Sequence, residues 1–150
     1  MVKMSEPTHI SIAEIGYEAD VSQMTTDNGV VDPPTKELTY RVTDRGSQPG
    51  EDANNTVYMA CHSATRSFAP CNTVYKEAAV GQTISLTTEA GQLTYRIESI
   101  ETLSKDGEFE NSEKVRSKVP GRLVLVTCLQ RGIGRSSAEN FVVFAQLIEK

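Results

Sequence analysis

The chain has 150 residues with a net charge of −5, 38% hydrophobic residues and no tryptophan, enough for one domain with a core built from Val, Ile and Leu. Its pI of about 5.1 and lack of a basic run exclude nucleic acid as an expected partner. No stretch approaches the roughly 20 apolar residues of a membrane-spanning helix, and the N-terminus lacks a signal-peptide pattern. Residues 1–8 read as an N-terminal remnant or linker before a domain over 9–150, with any natural membrane anchor expected outside this chain.

Taken in chain order, "HISIAEI" (9–15) alternates apolar and polar residues as a half-buried strand does. "DNGVVDPP" (27–34) is turn chemistry, and "LTYRV" (38–42) fits a short strand or a helical turn. "TDRGSQPGEDANN" (43–55) reads as a surface loop. "TVYMA" (56–60) is a strand-like run that ends at Cys61-His62. "VYKEAAVG", between Ser67 and Val80, holds the one plausible helix, stopped by a glycine. "TISLTT" (83–88), the turn "EAGQ" and "LTYRIESIETL" (93–103) predict a hairpin. Residues 105–121 mix charges and read as a solvated loop. "RLVLVT" (122–127) and "FVVFAQL" (141–147) are continuous apolar runs, expected for neighbouring strands buried on both faces. About seven short strands with one or two short helices describe an all-β barrel or sandwich.

The chemistry concentrates at two strand ends. Cys128 follows "LVLVT" as His62 follows "TVYMAC", each where an apolar strand gives way to polar residues. A buried cysteine is ordinarily a small apolar side chain, and a lone histidine at a strand end is ordinarily structural. If the two strands share one sheet wall, however, both residues emerge at one rim, where an imidazole activates a thiol as a nucleophile. Arg131 and Arg135 follow within seven residues of Cys128, placed to hydrogen-bond a developing oxyanion. His9 has no comparable setting. The three cysteines, Cys61, Cys71 and Cys128, match no zinc spacing. Cys61 and Cys71 are candidates for a bridge in an oxidising compartment, and an odd count leaves at least one thiol unpaired.

These residues carry a resemblance. "LVLVTC" resembles the TLxTC strand-end motif of sortases, the cysteine transpeptidases of Gram-positive cell surfaces. "TVYMACHS" resembles their histidine segment, and "SSAENFVVFAQL" is similar to their final strand. "IAEIGYEADV" with "DNGVVDPP", and "VGQTISLTTEAGQLTYRI", resemble the opening region and a later hairpin of the same family, in the same order, over about residues 10 to 147. The resemblance implies a closed eight-stranded β-barrel with Cys128 as nucleophile and His62 as proton carrier. Thr127 and Ser63, beside them, would touch the substrate. That substrate would be the sorting-signal peptide of a surface protein. Its acyl group would pass as a thioester to an amine of a peptidoglycan precursor or a pilin, outside the cytoplasm at the cell surface.

Two positions depart from the pattern. Cys61 stands where a glycine usually precedes the histidine. The family arginine falls at Asn140, twelve residues after Cys128. Arg135, or less readily Arg131, would then supply the cation from the loop, or Asn140 would serve as a neutral donor. The alternatives to a transpeptidase are a hydrolase on the same fold and a degenerate barrel that binds peptide with little turnover. No cofactor is implied. Calcium stays open, since Glu108, Glu110 and Glu113 lie in a loop where some sortases bind it, although a solvated acidic loop accounts for them equally.

Overall fold

The computed structural model describes residues 1–26, 31, 33–63, 69–104, 112–129 and 139–148, with Ser104, Cys128, Leu129 and Glu139 described as backbone only. Its eight strands are β1 (Pro7–Ile12), β2 (Tyr17–Met24), β3 (Thr39–Gly46), β4 (Val57–Ser63), β5 (Thr83–Thr88), β6 (Gly91–Ser104), β7 (Arg122–Leu129) and β8 (Glu139–Leu147). They close into a barrel in the order β1-β2-β3-β4-β7-β8-β6-β5. Every strand is paired on both sides, so no edge is left open to template another chain. The pairs β2–β3 and β4–β7 are parallel and the rest antiparallel. The barrel expected from the resemblance is therefore the fold, and the apolar runs 123–127 and 141–147 do lie side by side as β7 and β8.

Several local expectations need correction. The first strand begins at Pro7 and ends at Ile12, and residues 13–15 form a 3-10 turn closed by Gly16 at φ 70°, a left-handed conformation that glycine adopts without strain. The strand β2 has no apolar signature because it is mostly polar: of its eight residues only Tyr17, Ala19 and Met24 are buried. Of the two readings of residues 38–42 the strand holds, from Thr39, and β3 runs on to Gly46, into the segment read as loop. There Asp44 accepts hydrogen bonds from the Thr26 backbone N–H (3.0 Å) and hydroxyl (2.5 Å). The expected helix is α1 (Cys71–Glu77). A second, α2 (Glu113–Arg116), interrupts the stretch read as solvated loop, capped by Ser112 and anchored by the buried Val115.

Alternation along β4, β7 and β8 divides these strands between two cores. Val57, Met59 and Cys61 join Leu123, Leu125, Val143 and Ala145 inside the barrel. Tyr58 and Ala60 join Val124, Val126, Val142 and Phe144 in a second cluster outside it, covered by Met24, Val31 and Val115. Registers align the outer residues in rungs across the three strands: Tyr58–Val124–Phe144, then Ala60–Val126–Val142, then His62–Cys128–Asn140. Both faces of this wall are buried, which explains its continuous apolar sequence.

The N-terminal residues are stitched to the β3–β4 connection. Val2 N–H donates to Glu51 and Met4 N–H to Asp52, each at 2.8 Å. Glu6 accepts a two-pronged bond from Arg41, Nε and Nη2 each at 2.7 Å, and a third from Gln48 at 3.0 Å. Arg41 is 8% exposed and Glu6 17%, a desolvated setting in which removing one partner strands the other charge. The Arg41 hydrogen bond holds the Glu6 carboxyl below its ordinary value. A depressed folded-state pKa gives stability that is present above the unfolded carboxylate value and lost as pH falls through the folded one. Glu6→Gln should cost about 3 kcal/mol at neutral pH and flatten the acid limb of the stability curve, both readable from denaturant melts at pH 7 and in the acid range.

Candidate active site

The site is built by counting in twos. Tyr58, Ala60 and His62 occupy one row of β4, and Cys61 and Ser63 lie in the other. Because β4 and β7 run parallel, their ends arrive together, and His62 is the register partner of Cys128. Neighbouring strands lie about 4.8 Å apart, so the backbones that carry the thiol and the imidazole are adjacent. Across β7 the partner of Cys128 is Asn140 on β8. His62, Cys128 and Asn140 thus form one rung. His62 is half-buried, while Asn140 is 5% exposed and its Oδ1 receives no hydrogen bond among the described residues.

The neighbouring row is structural. Cys61 and Cys71 are joined by a disulfide with Cα atoms 6.0 Å apart, both buried in the inner core. The bridge ties the residue before His62 to the start of α1. Ser63 Oγ reinforces it by donating to the Cys71 carbonyl at 3.3 Å. Tyr75 of α1 meets Phe141, next to Asn140, edge to face at 5.6 Å. The same short helix therefore braces two of the three site strands.

Thr127 and Ser63, expected at the substrate, lie in the inner row. Thr127 is fully buried and its hydroxyl donates to the Phe141 carbonyl at 3.4 Å. Ser63 is buried against α1. Period-2 counting from His62 and Cys128 explains both placements: odd and even positions face opposite ways. Arg131 and Arg135 lie outside the described residues, as do Glu108 and Glu110. Glu113 is exposed in the first turn of α2, and among the described residues no three acidic, histidine or cysteine side chains gather as a metal site. His9 sits on β1 beside Asp20 (3.2 Å) and Glu18 (3.8 Å), on strands remote from β4 and β7 in the barrel order. No helix among the described residues is long and apolar enough to cross a membrane.

A closed mixed barrel with His62 and Cys128 in register on adjacent parallel strands defines the fold class, and comparison with known proteins supplies the family. The sortase domain model matches residues 10–148. The chain belongs to the sortase family. Among solved structures, a lid mutant of sortase A from Corynebacterium diphtheriae superposes with a TM-score of 0.74 at 14% identity, covering 99% of this chain and 73% of the other. Sortase C from Clostridium perfringens SM101 gives 0.68 at 16%, covering 99% and 73%. Sortase C-1 from Actinomyces oris gives 0.71 at 18%, covering 95% and 73%. At these identities the likeness is one of fold. No curated protein sequence matches.

The disulfide assigns the cysteines. With Cys61 and Cys71 bonded and buried, an electrophile added without reductant should label Cys128 alone, which peptide mapping would show. Labelling mainly at Cys61 or Cys71 would break the assignment. The bridge closes a ten-residue separation, which the loop-entropy relation values at about 3 kcal/mol. Reductant should lower stability by about that amount, and the Cys61→Ala/Cys71→Ala double variant should no longer respond to reductant.

Proposed function

We propose that this chain is a sortase-type transpeptidase working outside the cytoplasm at the cell surface. Its substrates are a sorting-signal peptide and an amine of peptidoglycan precursor or pilin. The observation that carries the reading is the rung His62–Cys128–Asn140, in register across three adjacent strands, within a chain of the sortase family. In the reaction, Cys128 gives its thiol proton to His62 and its sulfur adds to the scissile carbonyl carbon. The tetrahedral intermediate collapses with cleavage of the C–N bond, and His62 delivers a proton to the departing amine. The acceptor amine then attacks the thioester, giving its proton to the neutral imidazole, and the thiolate leaves. A new amide replaces the old, so the two steps balance without an oxidant or cofactor.

The oxyanion formed in both steps needs a donor. Asn140 occupies the family arginine position as a neutral amide: its Nδ2 can donate, and its buried Oδ1 can accept from a peptide N–H. A guanidinium from the loop after Cys128, Arg135 ahead of Arg131, supplies the charge in this reading, because residue 131 follows the strand too closely to turn back.

Incubation with a Leu-Pro-type peptide and triglycine tests the proposal by mass spectrometry. A transfer product supports transpeptidation, cleavage alone supports a hydrolase, and binding without either product leaves a peptide-binding barrel. Cys128→Ala should abolish acyl-enzyme formation with the fold intact, and His62→Ala should be nearly as damaging. Most transfer activity surviving in His62→Ala would remove that residue from the mechanism.

Loss of one oxyanion donor costs about 10²–10³ in rate. Arg135→Ala should lose that much, and Asn140→Arg should gain little, since position 140 is only 5% exposed and a guanidinium there must be desolvated. Silent loop variants together with a large gain from Asn140→Arg would reverse the assignment.

A further inference from the structure

The end of β4 that carries His62 has a strand partner on one side only. The last pair with β3 is Tyr40↔Ala60. Among the described residues, Cys61, His62 and Ser63 are therefore held in the sheet by β7 alone, through Cys61↔Thr127, His62↔Cys128 and Ser63↔Leu129. Strand ends with few partners are where a fold opens first. The other support is α1, reached by two links: the Cys61–Cys71 bridge, and Ser63 Oγ donating to the Cys71 carbonyl at 3.3 Å.

The helix is itself anchored. Val74 is fully buried in the inner core, and Tyr75 meets the Phe141 ring on β8. The bridge thus fixes Cys61 inward against an element that is already held. Alternation then turns His62 to the opposite row of β4, the row that the register shares with Cys128. Opening the bridge removes the covalent link and leaves the Ser63 hydrogen bond as the remaining tie to α1.

The bridge also has to be made by a reaction that spares Cys128. Cys61 and Cys71 are each 1% exposed, so the exchange belongs to folding, before the inner core packs over them. In the exchange each thiol gives up its proton and the pair gives up two electrons. The new S–S bond forms as that of a disulfide donor breaks, and the donor leaves as two thiols. Cys61 and Cys128 lie in opposite rows of adjacent strands, a placement that a disulfide cannot span without backbone movement.

We propose that Cys61 and Cys71 are positioning residues for His62: the imidazole is held in working relation to Cys128 only after a disulfide donor has closed the bridge. The inference rests on the transpeptidase reading and adds to it an oxidative maturation step that precedes transfer.

The test reads the His62–Cys128 relation directly. The chain has two histidines, so ring signals of a 13C-labelled protein come from His62 and from His9, which serves as the internal control on β1. The protein and its Cys128→Ala variant are refolded from denaturant with oxidised glutathione or with dithiothreitol. In the bridged form Cys128→Ala should move the His62 signals and leave those of His9. In the dithiol form most of that displacement should be lost, and transfer of a Leu-Pro-type peptide to triglycine should fall about 10²-fold in kcat, the cost of about 1 Å of misplacement, with KM little changed. The Cys61→Ala/Cys71→Ala and Cys61→Val/Cys71→Ala backgrounds should behave as the dithiol form under either refolding condition, the second refilling part of the core should the first fail to fold. A folded open form that keeps both the Cys128-dependent His62 displacement and full kcat overturns the positioning role. Unfolding of every open form reduces the bridge to a staple and overturns it as well. Peptide mapping of the active glutathione-refolded protein should show Cys61 joined to Cys71 and Cys128 free; a bridge that includes Cys128 overturns the maturation step. A displacement that depends on the bridge, in a protein that transfers no peptide, overturns the transpeptidase reading and leaves the positioning role standing.

Discussion

The structure depends on one constraint, the parallel pairing of β4 with β7 from Val57↔Leu123 to Ser63↔Leu129. Parallel strands must be joined by long crossovers, and between these two lie α1, the β5–β6 hairpin and α2. In return the two strands end together. An antiparallel pairing would send the end of β7 to the start of β4 and separate Cys128 from His62 by the length of the wall. With seven consecutive register pairs, a slip of one residue would also exchange the two faces of β7. The registry that buries Leu123 and Leu125 inside the barrel is thus the same registry that sets Cys128 beside His62.

The same alternation separates the cysteines by role. Cys61 and Cys71 are turned to the inner core and bonded to each other, and the register places Cys128 in the row of His62. One residue of spacing along β4, from 61 to 62, divides a structural bridge from the proposed proton carrier. The bridge also replaces the glycine common before the histidine with a cross-link to α1. The helix in turn touches Phe141, the neighbour of Asn140. Rigidity at this rim comes from the support beneath it, which the proposed alignment of a thiol with a proton carrier would require.

Electrostatics are local in this protein. A chain of net charge −5 keeps Arg41 bound by Glu6, which also accepts from Gln48, and gathers Arg45, Arg116 and Lys118 around one cavity. Lys114 lies over the Phe144 ring at 4.5 Å, with Arg122 at 6.0 Å from the same ring. At the opposite end of the wall stands Asn140, polar but uncharged and nearly buried. A neutral amide costs less to desolvate than a guanidinium, so its burial beside β7 is compatible with a stable barrel.

Much of this was legible in the sequence. The apolar runs 123–127 and 141–147, the hairpin of residues 83–103 and the strand before His62 are marked by composition and period, because burial on both faces demands unbroken apolar residues. Motif order along the chain pointed to the family, and to Cys128, His62 and Asn140 as candidate site positions. The strand Tyr17–Met24 was hidden, since its exposed polar residues erase the alternation, and Thr39–Gly46 outran its apolar part because its pairing continues through charged residues. The faces of Thr127 and Ser63, the partner of Cys61, and the meeting of Arg45 with Arg116 and Lys118 were settled only by tertiary structure. Each depends on which residues distant in sequence the barrel closure brings together, and local pattern carries no record of that.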